Sequence, residues 1–144
     1  MSMTQANKQI VRDYIEAGNR GEWQSQLEMF DKPRFRLQCH AAAPLGYVMD
    51  YRELAKMFAN IGDTMESFHI TIDQMTAEDG RVAVQAHSEA RSRDGNDYRN
   101  EYHFLFTIAD GRITKIDEYL CSLTMAKVLD PMIWESAMTT KESS

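Results

Sequence analysis

This 144-residue chain is defined first by what it lacks. No apolar run approaches the roughly 20 residues that span a bilayer, and the N-terminal stretch MSMTQANKQIVRDY has no apolar signal core. Membrane insertion and secretion by that route are therefore not expected. Cysteine is nearly absent: Cys39 and Cys121 lie far apart and match no CxxC spacing. Both read as free thiols of a reducing cytoplasm rather than as a bridge. There is no HxH or HExxH, so no metal site is expected. Positive charge is also scarce, with 16 Lys and Arg against 22 Asp and Glu, a net charge of −6 and a pI near 5.2. The basic residues are scattered, which argues against nucleic acid as the main partner, because phosphate binding needs a concentrated basic face. Repeats, linkers and low-complexity segments are missing as well.

What remains is the composition of a globular protein, 43% hydrophobic and 26% charged. It reads as one domain over 1–144, with a core of about 8–130 and a polar tail at 139–144. The ten methionines suit irregular apolar gaps and adaptable pocket walls.

The organising stretch runs from Tyr98 to Leu120. Two β-rich runs are joined there by Ala109-Asp110-Gly111-Arg112, and Asp-Gly between such runs is a strong hairpin signal. A run from Arg81 to Arg93 precedes it and turns through Asp94-Gly95-Asn96-Asp97, giving an antiparallel meander. Upstream, Thr4 is expected to cap a first helix carrying Val11, Tyr14 and Ile15, which ends at Gly18-Asn19-Arg20-Gly21. A short helix with Trp23, Leu27 and Phe30 stops at Pro33. Arg34 to Cys39 alternates as a strand, and His40 to Gly46 reads as a loop. Asp50 with Glu53 fits a capping box for a third helix, with Leu54, Met57, Phe58 and Ile61 on its buried stripe and Gly62 at its end. Phe68 to Met75 alternates again and turns at Glu78-Asp79-Gly80. After Cys121, Ser122 can cap a last helix ending before Pro131. Helices first and sheet later predict an α+β fold in which a curved antiparallel sheet wraps the N-terminal helices around a hollow.

Three segments carry a family resemblance: VRDYIEAGNRGEWQSQLEMF, then DYRNEYHFLF leading into DGRI, and IDEYL at the last strand. With these the chain resembles the nuclear transport factor 2-like superfamily, and most closely its SnoaL-like and ketosteroid-isomerase-like members. The resemblance implies a cystatin-like roll with a cone-shaped pocket, and a homodimer through the outer sheet face. It implies no single reaction, since members include isomerases, polyketide cyclases, dehydratases, epoxide hydrolases and inert binding modules.

Turn positions predict the pocket wall. If Asp94 faces Asp97 and Ala109 faces Arg112, then Ser88, His103 and Glu118 form one transverse row. Ala86, Leu105, Ile116 and Leu120 share that face, and His87, Glu89, Tyr102, Phe104, Phe106, Asp117 and Tyr119 lie on the other. Apolar residues around one polar row suit a ligand hollow, which Gln38, Met57 and Phe58 would complete. Glu118 would orient His103 as an acid, base or donor. By the resemblance, Tyr14 matches the oxyanion-hole tyrosine of steroid isomerases, and His103 falls within one residue of their protonated aspartic acid. Their general base corresponds to Gln38 or a neighbour, and an amide cannot abstract a proton; His40, two residues on, is the substitute candidate. Many relatives carry Asp where this chain has Cys121. Steroid isomerisation itself is therefore not expected. The functional expectation is a small-molecule-binding protein acting by cofactor-independent acid–base chemistry on a hydrophobic ligand. The alternative is a non-catalytic ligand-binding or interaction module of the same fold.

Overall fold

The computed structural model describes residues 1–43 and 45–129. Pro44, the proline after the last helix and the polar tail from Thr139 lie outside the described residues.

Helix α1 (Met3–Asn19) begins earlier than Thr4 predicts. Ser2 is its cap: Gln5 N donates to Ser2 Oγ at 3.1 Å and Ser2 N donates to Gln5 Oε1 at 3.2 Å, a reciprocal capping box. Its Val11, Tyr14 and Ile15 are buried. At its end Asn19 brackets Ile70 of a strand far along the chain, donating to its carbonyl and accepting from its N–H, both at 2.8 Å. Helix α2 (Trp23–Glu28) follows and docks through Gln26, whose amide donates to the Tyr14 carbonyl at 3.0 Å. Phe30 then stacks on Phe35 with centroids 3.8 Å apart.

Strand β1 (Arg36–His40) keeps the predicted alternation, with Leu37 and Cys39 buried. A short strand β2 (Tyr47–Met49) pairs antiparallel with it, directly after the expected loop. Three residues are too few for a periodic signal. Helix α3 (Tyr51–Thr64) has the predicted capping box, with Glu53 N donating to Asp50 Oδ1 at 2.9 Å and Asp50 N to Glu53 Oε1 at 3.3 Å. Asp50→Ala is expected to cost about 1 kcal/mol, read as a lower urea midpoint at unchanged m-value; an unmoved midpoint would mean that packing alone holds α3. The helix continues through Gly62 rather than ending there. A side chain at that position would meet the Trp23 ring at 2.7 Å, so the glycine serves close packing rather than termination.

Four long strands follow: β3 (Met65–Glu78), β4 (Arg81–Ser92), β5 (Asp97–Ala109) and β6 (Arg112–Leu120), then helix α4 (Ser122–Leu129). The sheet order is β2-β1-β6-β5-β4-β3, antiparallel except for the β1–β6 pair. Asp79 with Gly80 and Asp110 with Gly111 all have positive φ, as two-residue hairpin turns require, and Glu78–Arg81 and Ala109–Arg112 pair across them. Bulges in β3 and at the base of the β5–β6 hairpin bend the ladders. The result is the α+β fold with a curved sheet against the N-terminal helices.

Two registers differ from expectation. Asp97 faces Arg91, not Asp94, because the loop closes through Ser92 N donating to the Asn96 carbonyl at 2.8 Å. Ser88 therefore faces Asn100. In the next hairpin Ala109 does face Arg112, but Thr114 is an extra residue. His103 then faces Tyr119, and Phe104 faces Glu118. The predicted row of Ser88, His103 and Glu118 does not form. The whole of β5 is turned over, with Tyr102, Phe104 and Phe106 buried inside and His103 exposed outside. The physical reason is area: burying a large apolar side chain contributes roughly 1.5–3 kcal/mol, and three aromatics outweigh any turn preference.

Candidate functional site

A cavity of about 630 Å³ lies between the inner sheet face, α1 and α3, within the range that holds a small organic ligand. Met57 and Phe58 of α3, Ile70 of β3, Phe104 of β5 and Ile116 and Leu120 of β6 provide apolar wall. Its polar lining includes the Glu118 carboxylate, the phenols of Tyr14, Tyr47, Tyr98 and Tyr102, and Asn19, Gln26 and Ser67. Arg20, Glu66 and His69, all exposed, stand at the rim.

Strand alternation delivers Glu118. Ile116, Glu118 and Leu120 share the inward face of β6, beside Leu37 and Cys39 of β1. The carboxylate opens onto the cavity but is otherwise surrounded by protein. Desolvation pushes its pKa from 4.5 up to about 7, so that it is half ionised near neutrality. Burial and then the Glu118 charge raise Tyr14, Tyr47 and Cys39, whereas at Tyr102 burial is followed by the Tyr98 phenol. The Tyr14, Tyr47 and Tyr102 phenols titrate well above their usual value, and the Cys39 thiol rises to about 11. Cys39 is thus protonated at neutral pH and is no thiolate nucleophile.

The other side chains singled out from the sequence are distributed on both faces. Tyr14, Glu118, Met57, Phe58, Ile116 and Leu120 line the cavity. Ala86 and Ser88 are buried in the sheet wall, and Ser88 Oγ lies 2.9 Å from Tyr102 Oη. His103, Leu105, Gln38 and His40 do not reach the cavity, because they occupy outward positions of their strands. His40 Nε2 lies 2.7 Å from Asp117 Oδ1 and its ring stacks on Tyr119 at 4.3 Å. Gln38 and His40 border a shallow outer depression with Ala41 and Val48. His103 therefore has no contact with Glu118, and His40 is held away from the hollow by the Asp117 pair.

Sequence reasoning missed Tyr47, Tyr98, Tyr102 and Phe104. A signal for three of them was present. Positions 98, 100, 102, 104, 106 and 108 alternate Tyr, Asn, Tyr, Phe, Phe, Ile against Arg, Glu, His, Leu and Thr. That pattern marks the buried face directly. Tyr47 carries no such signal, since β2 is too short.

Among solved structures, BvnE pinacolase from Penicillium brevicompactum superposes with a TM-score of 0.79 at 14% identity, covering 90% of this chain and 95% of that one. A nuclear transport factor 2-like protein of unknown function from Burkholderia pseudomallei gives 0.76 at 16% identity, over 90% and 99%. TerC, co-crystallised with polyporic acid, gives 0.74 at 12% identity, over 87% and 98%. At these identities the likeness is one of fold. No curated protein sequence matches the chain significantly. A family model does, over residues 11–116, well over half of the length, and the chain belongs to the SnoaL-like domain family.

Proposed function

We propose that this protein binds a hydrophobic, oxygen-bearing small molecule in the cavity and performs cofactor-independent acid–base chemistry on it. Glu118 transfers the proton and Tyr14 serves as a hydroxyl donor on the α1 side. One observation carries the reading: inside the charged rim, an ionisable carboxylate stands in a largely apolar and phenolic cavity with its pKa near neutrality. A carboxylate poised there can take and return protons at working pH. Isomerisation, cyclisation, dehydration and epoxide hydration all fit such a group. A pinacolase and a protein co-crystallised with polyporic acid among the structural relatives are consistent with an oxygenated ligand. His103 and His40 take no part in this proposal.

The test is a thermal-shift screen against aromatic polyketides, terpenoid epoxides, hydroxy-ketones and steroids. A ligand at a hundred times its Kd adds about 2.7 kcal/mol of native-state stability. Binding followed by chemical change of the ligand is expected. Binding without change in any hit would favour the non-catalytic module, and no binding across these classes would remove the ligand reading.

A cytoplasmic homodimer through the outer sheet face completes the proposal. No helix among the described residues is long and apolar enough to cross a membrane. The outer face keeps one aromatic, Tyr119, 48% exposed, beside an exposed Val48, because Tyr102, Phe104 and Phe106 turn inward. Sedimentation equilibrium should return twice the chain mass; a monomer at micromolar concentration would end this part of the proposal.

A further inference from the structure

The mechanism above leaves a buried polar chain in the sheet wall unused. Ser88 Oγ lies 2.9 Å from Tyr102 Oη, which lies 3.4 Å from Tyr98 Oη. Asn100 Nδ2 donates to Tyr98 Oη at 2.7 Å and to the Cys121 carbonyl at 3.1 Å. The amide orientation is not free. Asn100 Oδ1 accepts from the N–H of Glu101 at 2.8 Å and of Cys121 at 3.1 Å. Both of its lone pairs are thereby filled and it cannot accept from a phenol.

Proton counting then gives the chain a direction. Ser88, Tyr102 and Tyr98 own three hydroxyl protons, and only two contacts join them. Asn100 adds a donor at the far end and takes none back. One O–H is therefore always left without an acceptor inside the chain. It does not rest on Ser88, which is buried and whose side-chain partner among the described residues is Tyr102, since an unmet buried donor there would cost about 1–3 kcal/mol. Tyr102 Oη donates to Tyr98 Oη, so it falls on Tyr98, and both phenols line the cavity.

Tyr102 pairs across the ladder with Leu120, two residues from Glu118 on the same face. Such diagonal neighbours sit about 7–8 Å apart at the backbone and less at long side chains. We infer that Ser88, Tyr102 and Tyr98, directed by Asn100, form a second polar subsite that donates a hydrogen bond to an acceptor oxygen of the ligand beside Glu118. The inference rests on the cavity being the ligand site. It narrows the ligand to neutral apolar molecules with a ketone, ether or epoxide oxygen within one small ring of the atom that exchanges a proton with Glu118. Asn100 is a positioning residue, because it acts through Tyr98.

The experiment uses 2-acetylnaphthalene, labelled with ¹³C at the carbonyl, and 2-ethylnaphthalene, which has no oxygen. Binding is followed by tryptophan fluorescence, Trp23 being in the cavity wall. Work at pH 9 keeps Glu118 ionised, so that it only accepts, while the phenols stay protonated. The ketone should bind about tenfold tighter than the hydrocarbon, the value of one net hydrogen bond. Its bound carbonyl band should lie below its position in cyclohexane. The low band should persist in Tyr14→Phe and vanish in the double variant Tyr98→Phe/Tyr102→Phe. If the double variant does not fold, the band must instead survive Tyr14→Phe/Tyr47→Phe. Equal affinity for the two probes, a band at the cyclohexane position, or a low band lost with Tyr14 would overturn the subsite and leave the cavity as a ligand site. No binding of either probe would remove the ligand site itself.

Discussion

Replacing Glu118 by glutamine is expected to stabilise the protein by about 3 kcal/mol at pH 8.5 and by well under 1 kcal/mol at pH 4.5. The rise of its pKa from 4.5 to about 7 converts at 1.36 kcal/mol per unit. Between those two values the folded protein holds more protons at this site than the unfolded chain does. Stability therefore falls as pH rises through the window. The contribution is fully present below pH 4.5 and lost once the pH passes about 7. Above it, the native state carries a desolvated charge that glutamine does not have. Urea unfolding of both proteins at the two pH values measures the difference, and melting at pH 8.5 should differ on the order of 10 °C. Parallel pH–stability curves would show that Glu118 is ordinarily solvated and would undo the electrostatic account of the cavity.

The sequence foretold more of the fold than of the site, for physical reasons. Element order, the Asp50–Glu53 box and the Asp79-Gly80 and Asp110-Gly111 turns depend on residues close in sequence, so a local reading finds them. The face carried by β5 depends on where a loop closes and where one extra residue, Thr114, enters β6. A one-residue slip inverts every side chain beyond it. His103 entered the predicted site through that slip, and Tyr98, Tyr102 and Phe104 left it. Glu118 remained because its inward position agrees with the spacing of Ile116 and Leu120 on its own strand. Tyr14 remained because the helical stripe with Val11 and Ile15 needs no partner strand to define it. The β5 alternation, read for burial instead of counted from the turn, would have turned the strand the right way.

The ligand that raises the melting temperature should also show the largest functional effect. Glu118→Gln is expected to lower kcat/KM for its turnover by 10²–10⁴-fold, the usual contribution of a positioned acid or base. Direction follows from the reaction step. Where Glu118 removes a proton from carbon next to a carbonyl, the wild type should gain about tenfold per pH unit below 7 and level off above it. Exchange of that proton for deuterium, followed by NMR in D₂O, reads this step without needing the product. The variant should keep ligand affinity, since glutamine fills the same volume, so the loss should fall on kcat and not on KM. A profile that falls through pH 7 would make Glu118 the proton donor instead. A flat profile with a fully active variant would remove it from the chemistry. The predicted profile and the stability curve turn at the same pH because one desolvated carboxylate sets both. Agreement between two such different measurements would tie the strain in the cavity to its function.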